Sequence, residues 1–357
     1  MKIGIVCNAF AQSGGMETYT LGLVRSFARL GADRPVVFST RFDPNRPEYQ
    51  LIEPVSIPAW FVPQKLRPRY VAARVEKLRS RFGVDVLIAC CRCPGAEIVA
   101  CGGTHPGFCE ALGRMKRSDR GTIAFERRMY ERARFTVAHS RLMAREVERF
   151  YGVPEDRIRV LYPPVSSERF KPLGKESRAA LRRELGIPED RTAFLFVSSS
   201  HERKGLPLLL PFFESTALPV ELIVAGRPLK LPPGYTGPRV HYIGYRKDIE
   251  KVYGACDFSI LASVYEPFGL APVESLFCGT PVVIAENLGA AEILPRSCCE
   301  TFRRGDAASL SLAVERAVAR RVEMKEAALG IDPASLLPGP DEHARAILGL
   351  AREISRS

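Results

Sequence analysis

Short apolar runs and amphipathic segments alternate along the chain, and this alternation predicts a protein of strands and helices. In the first half, apolar runs predict strands at residues 3–7, 36–38, 85–90, 135–138 and 157–161. Between them, the segment with Leu21, Val24 and Phe27 and the basic segment 69–82 have the apolar spacing of helices, and Ser140 can cap another helix. Residues 41–69 are rich in Pro and Arg and predict little regular structure.

The same pattern restarts after residue 165. Strands are predicted at residues 193–197, 221–225, 240–243, 258–261 and 281–285, with helical segments between them. Strands that alternate with helices indicate parallel sheets with helices on both faces. The chain therefore predicts an α/β protein of two Rossmann-like, doubly wound domains, residues 1–165 and 166–335. Ligands are expected in the cleft between them, at the carboxyl ends of the strands.

Residues 336–357 follow a Pro- and Gly-containing loop and contain a helix with Ile347, Leu350 and Ile354 on one face. We expect this helix to pack back on the first domain. No apolar run approaches the roughly 18 residues of a membrane-spanning helix, and the first residues do not form a signal peptide. The ten cysteines have neither disulfide-framework nor zinc-site spacing. These features predict a cytoplasmic protein.

Positive charge is concentrated in the first half. Residues 1–165 hold 27 Lys and Arg against 16 Asp and Glu, whereas the rest of the chain holds 25 against 24. Two segments carry many of these cations: Lys65, Arg67, Arg69, Arg74, Lys77, Arg79 and Arg81 in one, and Arg114, Lys116, Arg117 and Arg120 in the other. The asymmetry predicts an anionic partner for the first domain, such as a membrane surface, a phosphorylated glycolipid or nucleic acid. A solvated, Arg-rich surface is the alternative interpretation.

Two carboxylates, Glu266 and Glu274, lie seven residues apart in the segment YEPFGLAPVE, directly after a predicted strand. A helix is predicted to open at Gly269, so the N–H groups of Gly269 and Leu270 can bind an anion. Carboxylates accept strong hydrogen bonds from sugar hydroxyls. The segment therefore predicts a ligand that has both hydroxyl and phosphate groups.

This segment resembles the E-x7-E signature of retaining glycosyltransferases of family 4, which have the GT-B fold of two Rossmann-like domains. The resemblance implies that Glu274 binds the ribose of a nucleotide-sugar donor. It also implies that Glu266 and the amides of Phe268, Gly269 and Leu270 hold the transferred sugar.

Residues 197–205, VSSSHERKG, follow a predicted strand and resemble the phosphate-binding loop of the same family. The resemblance implies that Lys204 reaches the donor diphosphate and offsets the charge on the leaving group, with Ser199 and Arg203 beside it. Many members of the family have an Arg earlier in this loop, where this chain has only serines. Either Arg203 compensates or the phosphate is held more weakly.

Three further segments resemble family loops. Residues 13–15, SGG, resemble the loop beside the donor phosphates and acceptor, so Gly15 is predicted near the donor. His105 resembles the loop histidine that contacts the transferred sugar near the reaction centre and is predicted to be catalytic. Tyr245 follows a strand and resembles the loop that touches the nucleotide base. Asn287 and His139 are weaker candidates for the donor site and the acceptor cleft.

These features predict a retaining glycosyltransferase that moves a hexose-type sugar from a nucleotide diphosphate sugar, with a UDP-sugar favoured. The acceptor is expected to be an anionic glycan or a glycolipid, such as a bacterial lipopolysaccharide core, and the enzyme to be peripheral on the inner face of the cytoplasmic membrane. Glu266, Lys204 and His105 are the expected catalytic residues. Because the chain lacks the Asp-x-Asp segment that binds a metal in the other major transferase fold, catalysis is expected without a metal or other cofactor.

Other functions compete with this interpretation. A sugar-nucleotide epimerase or hydrolase would use the same fold. A nicotinamide-dependent dehydrogenase would need G-x-G-x-x-G after the first strand, which this chain does not have. A non-catalytic nucleic-acid-binding protein would use the basic half, but neither aromatic–basic interleaving on strands nor zinc-finger spacing supports it, so nucleic acid is a disfavoured partner.

Overall fold

A computed structural model of the protein describes residues 1–12, 14–228, 237 and 239–356. The chain forms two compact units. The first consists of Met1–Pro164 and the chain from Pro338 onward, and the second of Val165–Leu337. Within the described residues, no helix combines the length and the apolar character needed to cross a membrane.

The first unit is built on a parallel sheet, which has seven strands in the part of the chain that the structure describes. In chain order these are β1 (Ile3–Cys7), β2 (Val36–Ser39), β3 (Glu53–Ser56), β4 (Val86–Ala89), β5 (Ile98–Cys101), β6 (Phe135–Ala138) and β7 (Ile158–Val160). The strand order is β3-β2-β1-β4-β5-β6-β7, and Ile5 of β1 pairs with Val37 of β2 and Ile88 of β4. The central strands are buried because helices cover both faces, which explains their uninterrupted apolar sequences.

The helices of the first unit are α1 (Gly15–Arg29), α2 (Arg67–Arg79), α3 (His105–Ala111), α4 (Asp119–Arg132) and α5 (Arg141–Tyr151), with a short 3₁₀ helix at Pro47–Leu51. Ser140 caps α5 as predicted, since its Oγ accepts a hydrogen bond from the N–H of Met143 at 3.0 Å. Thr104 caps α3 in the same way through the N–H of Gly107 at 3.1 Å.

The prediction for residues 41–69 is wrong in one respect, because this segment contains β3. The strand pairs with β2 through the Val37–Pro54 register. Pro54 is tolerated because β3 lies at the edge of the sheet, where a missing N–H breaks no ladder. The pattern also did not predict β5, α3 and α4, whose sequences are short or strongly charged.

The second unit contains a parallel sheet with the order β10-β9-β8-β11-β12-β13 among the described residues. Its strands are β8 (Thr192–Ser198), β9 (Val220–Gly226), β10 (Val240–Gly244), β11 (Phe258–Leu261), β12 (Val282–Ala285) and β13 (Cys299–Phe302). Its helices are α6 (Lys175–Glu184), α7 (Leu206–Ser215), α8 (Ile249–Ala255), α9 (Leu270–Phe277), α10 (Ala307–Ala319), α11 (Arg321–Leu329) and α12 (Pro333–Leu336). The strand order reverses direction between β8 and β11, and Lys204 and Glu266 lie in the loops that follow these two strands.

The C-terminal helix α13 (Pro340–Arg356) packs on α1 within the first unit. Ile347 and Ala351 are fully buried in the core of that unit. At the start of the helix, the Asp341 carboxylate accepts hydrogen bonds from Arg29 Nε and Nη2 at 2.9 and 2.6 Å. Apolar burial and a paired charge therefore hold the end of the chain against its first helix.

Candidate active site

The loop after β8 brings Lys204 to the carboxyl edge of the second sheet. Gly205 ends this loop in a left-handed conformation, with φ of +87°. A Cβ atom at Gly205 would lie only 2.0 Å from the carbonyl oxygen of Ala262, which directly follows β11. Any other residue at this position would therefore push the loop away from the end of β11. The Lys204 N–H donates to the Ser200 carbonyl at 3.0 Å, which closes the turn. The backbone thus holds Lys204 close to the end of β11.

Three side chains converge on the carboxylate of Glu266. Lys204 Nζ forms a short ion pair with Glu266 Oε2, and Arg203 Nη1 lies 3.5 Å from the same oxygen. Ser263 Oγ donates a hydrogen bond to it at 3.3 Å. The Glu266 and Lys204 side chains are largely buried, so their attraction is screened less than that of a surface pair. The structure therefore brings together the first acid of the E-x7-E segment and the predicted phosphate-binding lysine.

The backbone around Glu266 is fixed by the segment that follows β12. The N–H groups of Gly289 and Ala290 donate to the carbonyls of Glu266 and Phe268 at 3.1 and 2.8 Å. Gly269 then turns the chain with φ of +90°, and α9 begins at Leu270. The first N–H groups of a helix have no partners within it and carry its positive dipole end, so the start of α9 is suited to an anion.

Glu274 lies in the second turn of α9 beside buried side chains. Its Oε2 accepts a hydrogen bond from the hydroxyl of Tyr253 at 3.3 Å. Burial raises the pKa of Glu274 above its usual value, and the positive charges of Arg169 and Lys204 oppose this shift. The Glu274 carboxylate therefore has a hydrogen-bond donor, the Tyr253 hydroxyl, and feels the positive charges of Arg169 and Lys204. Tyr253 and Arg169 were missed by sequence reasoning, because they belong to α8 and to the chain before α6 and form part of no local motif.

His105 belongs to the first unit and is the first residue of α3, so its prediction as a loop residue is wrong. Its Nε2 lies 3.1 Å from Asp119 Oδ1, and Cys109 lies one helical turn further on. One ligand atom from each of His105, Cys109 and Asp119 lies within 4.8 Å of the others, so this group could hold a metal ion. The expectation that catalysis needs no metal stays a prediction.

His139 is packed inside the first unit. Its ring lies 4.8 Å from the ring of Tyr19, and only 4% of the residue is exposed. Burial, together with a smaller contribution from the neighbouring His343, lowers its pKa to about 3. This setting suits a neutral core residue better than a group that meets an acceptor.

Comparison with known proteins identifies the family. The family model for Glycosyltransferase Family 4 matches residues 13–169. The family model for Glycosyl transferases group 1 matches residues 177–327. A "probable transglycosylase" of Burkholderia thailandensis is 46% identical over 99% of this chain and 97% of its own. The chain belongs to the group 1 glycosyltransferases of family 4.

Solved structures show the same fold. WaaG, described as a glycosyltransferase involved in lipopolysaccharide biosynthesis, has a TM-score of 0.83 and 19% identity over 97% of this chain and 100% of its own. HepE of Anabaena, in complex with UDP and glucose, has a TM-score of 0.77 and 18% identity over 99% of this chain and 100% of its own. The GT-B fold predicted from the sequence is confirmed.

The other predicted donor residues of this glycosyltransferase have different settings. Ser199 and Tyr245 are exposed beyond the ends of β8 and β10. Asn287 holds the loop before Glu266, because its Nδ2 donates to the Val264 carbonyl at 3.0 Å. Gly15 opens α1 in the first unit, and Ser13 of the same motif lies outside the described residues.

Proposed function

We propose that this glycosyltransferase moves a hexose-type sugar from a UDP-sugar to an anionic glycolipid or glycan, with retention of anomeric configuration and without a metal. The observation that carries the proposal is the convergence of Lys204, Arg203 and Ser263 on Glu266. A cation and a carboxylate at one sheet edge match the two halves of a nucleotide sugar, its diphosphate and its hydroxyls. The UDP held by HepE supports this choice of donor.

Donor binding would divide the Lys204–Glu266 pair between two parts of the ligand. The diphosphate attracts Lys204 and the amides at the start of α9, and Glu266 is then available to the sugar hydroxyls. As the glycosidic bond breaks, negative charge grows on the departing phosphate. Lys204 therefore stabilises the transition state more than the ground state. This difference in stabilisation is what accelerates the reaction.

Retention is proposed on the basis of the E-x7-E segment, Glu266 to Glu274. A front-face displacement, in which the leaving phosphate helps to deprotonate the acceptor, needs no protein nucleophile. His105 is proposed to stabilise the positively charged sugar of the transition state. Nuclear magnetic resonance of the product linkage tests retention, because an inverted anomeric configuration would exclude this mechanism.

A glycolipid acceptor agrees with the net positive charge of residues 1–165 and with the role of WaaG in lipopolysaccharide biosynthesis. We propose that the enzyme acts at the cytoplasmic membrane surface, where such an acceptor is available. Enzyme stripped with a chelator should keep its transfer activity. Loss of activity that a divalent ion restores would contradict the metal-free proposal and would direct attention to His105, Cys109 and Asp119.

Calorimetric titration of two ligands tests the donor site. Lys204→Ala should weaken both UDP and UDP-glucose, because both contain the diphosphate, and should lower kcat about 100-fold. Glu266→Ala should weaken UDP-glucose only, because UDP lacks the sugar. Lys175→Ala, an exposed lysine on α6, is the matched control and should change neither. If both site variants bind both ligands normally, the assignment of Lys204 and Glu266 to the donor site is wrong.

The probable transglycosylase of Burkholderia thailandensis favours a second candidate, transfer of a glycosyl unit from a glycan instead of a nucleotide sugar. Thermal-shift screening with UDP-, GDP- and ADP-sugars distinguishes the two. Stabilisation by a nucleotide sugar, lost in Glu274→Ala, supports the proposed donor. Turnover of a glycan donor with no response to any nucleotide sugar supports the transglycosylase, and release of free sugar or its epimer without acceptor supports a hydrolase or epimerase.

A further inference from the structure

Two large aromatic side chains project from the first unit. Trp60 is 82% exposed and Phe61 is 56% exposed, although both are strongly apolar. Their rings contact each other edge to face at 5.5 Å, and Phe61 contacts Tyr70 at 5.6 Å. Arg67 holds the loop that carries them, since its Nε donates to the Val62 carbonyl at 2.9 Å. The aromatic pair is therefore held in an ordered, outward position.

A second exposed apolar segment connects α3 to α4. Met115 is 56% exposed and Leu112 is 36% exposed, and Arg114, Lys116 and Arg117 lie between and beside them. As in the first segment, apolar side chains alternate with cations. Neither segment resembles a polar solvent-facing loop.

The structure places the two segments next to each other, although about fifty residues separate them in the sequence. Arg69, in the first turn of α2, reaches Gly121, in the first turn of α4, where a Cβ atom would lie 3.6 Å from its Nη2. We call residues 60–70 and 112–120 together the aromatic–basic face. It contains seven cations, Lys65, Arg67, Arg69, Arg114, Lys116, Arg117 and Arg120, and one acid.

That acid, Asp119, has a side chain that is only 19% exposed. Its carboxylate accepts the Lys116 N–H at 2.6 Å and pairs with His105. The aromatic–basic face therefore presents exposed apolar groups surrounded by positive charge. Trp and Tyr rings favour the headgroup level of a bilayer, and Lys and Arg near the surface attract anionic lipids.

We propose that the aromatic–basic face docks on an anionic lipid bilayer, with Trp60 and Phe61 inserted at headgroup level and the cations on lipid phosphates. A protein partner would need a matching acidic surface with an apolar centre, whereas a bilayer provides both features everywhere. This docking rests on the membrane location given in the proposed function and specifies the surface that makes the contact. It does not depend on the donor chemistry.

The docked orientation would also serve the acceptor. A cavity in the same unit is lined by His105, Phe108, Leu112, Arg114 and Lys116, so it shares residues with the aromatic–basic face. An anionic headgroup at the bilayer surface would meet Arg114 and Lys116 at the entrance and His105 further in. The face would thus deliver a membrane-held acceptor to the proposed catalytic histidine.

Trp60 is the sole tryptophan of the chain, so intrinsic fluorescence reports on this loop alone. With vesicles of phosphatidylcholine and phosphatidylglycerol, we expect a blue shift of its emission and quenching by brominated lipid chains. Pure phosphatidylcholine vesicles should give a much smaller response, because the attraction of the cations is lost. Unchanged emission on anionic vesicles would overturn the proposal.

Variants test the two contributions by co-sedimentation with the same vesicles. Phe61→Ser should weaken binding roughly tenfold by loss of apolar burial. Lys65→Ala and Lys116→Ala should each weaken it about fivefold. The matched controls are Val322→Ser, which is 65% exposed in the second unit, and Lys175→Ala, and neither should change binding.

UDP-glucose affinity in solution separates this proposal from the function. All docking variants should keep it, because none of the altered residues is a predicted donor-binding residue. Vesicle binding without nucleotide-sugar binding would support docking and count against the donor proposal. A Trp60 response to RNA or to a second protein, with no response to anionic vesicles, would replace the bilayer with that partner.

Discussion

Two buried histidines should make the first unit sensitive to mild acid. His139, after β6, and His343, on α13, both face Tyr19 of α1. The Tyr19 hydroxyl lies 2.9 Å from His343 Nε2, and the His139 ring lies 4.8 Å from the Tyr19 ring. His343 is 2% exposed and His139 is 4% exposed, so a positive charge on either ring would lose most of its hydration.

The sign follows from the direction of the pKa shifts. Burial lowers the pKa of His139 from 6.5 to about 3 and that of His343 from 6.5 to about 4. Protons therefore bind the unfolded chain more readily than the folded one. The stability is fully present above about pH 6.5 and is lost as the pH falls toward the folded values.

A pH of about 5 is about 1.5 units below the unfolded-state pKa of each histidine. Each pKa unit corresponds to about 1.4 kcal/mol. Each group should then cost about 2 kcal/mol relative to neutral pH, or about 4 kcal/mol for both. This loss depends little on the folded values, because both lie well below pH 5. Such a loss is a large part of the stability of an ordinary domain.

Urea unfolding with hydrogen-exchange mass spectrometry measures this loss on peptides of α1 and β6. The variant His343→Leu removes one titrating group and should reduce the slope of unfolding free energy against pH by about 1.4 kcal/mol per unit. Peptides of the second unit are the internal control, since their slope should not change. A folded His139 that titrates near pH 6.5 by nuclear magnetic resonance would refute the reasoning.

Three further predictions concern the second unit. Gly205→Ala should weaken donor binding at least about tenfold by calorimetry, because its Cβ atom would collide with the Ala262 carbonyl and displace the Lys204 loop; unchanged affinity would contradict this. Because burial raises the pKa of Glu274, donor affinity should begin to fall at a pH above the usual glutamate range as the carboxylate is protonated, and Glu274→Gln should flatten that pH profile. Asp257→Ala should destabilise the second unit by about 3–5 kcal/mol in urea, because it leaves the buried Arg182 and the partly buried Arg178 without their carboxylate.

The elements that the sequence predicted well are the buried parallel strands. Strands such as β6 and β11 are buried on both faces because helices cover both sides of the sheet. Their consecutive residues are therefore mostly apolar, and a pattern of apolar positions predicts them. The elements that it missed have mixed sequences. β3 contains a proline at a sheet edge, and α4 is strongly charged, so neither has a clear period.

The residues of the proposed donor site divide in the same way. Glu266, Glu274 and the Lys204 loop could be predicted, because each lies in a short segment whose strand, turn and helix are visible locally. Tyr253 and Ser263 could not, because nothing beside them in the sequence indicates a ligand. Their role comes from the hydrogen bonds that they make to the two carboxylates in the folded unit.

The sequence by itself determined the two-sheet α/β architecture and the residues of the family motifs, because these depend on local periodicity and on short segments. Tertiary structure decided which distant groups meet. Lys204 and Glu266 are 62 residues apart, and they pair because parallel strands end at the same edge of a sheet. Arg69 likewise lies close to Gly121, because the fold of the first unit brings the first turns of α2 and α4 together.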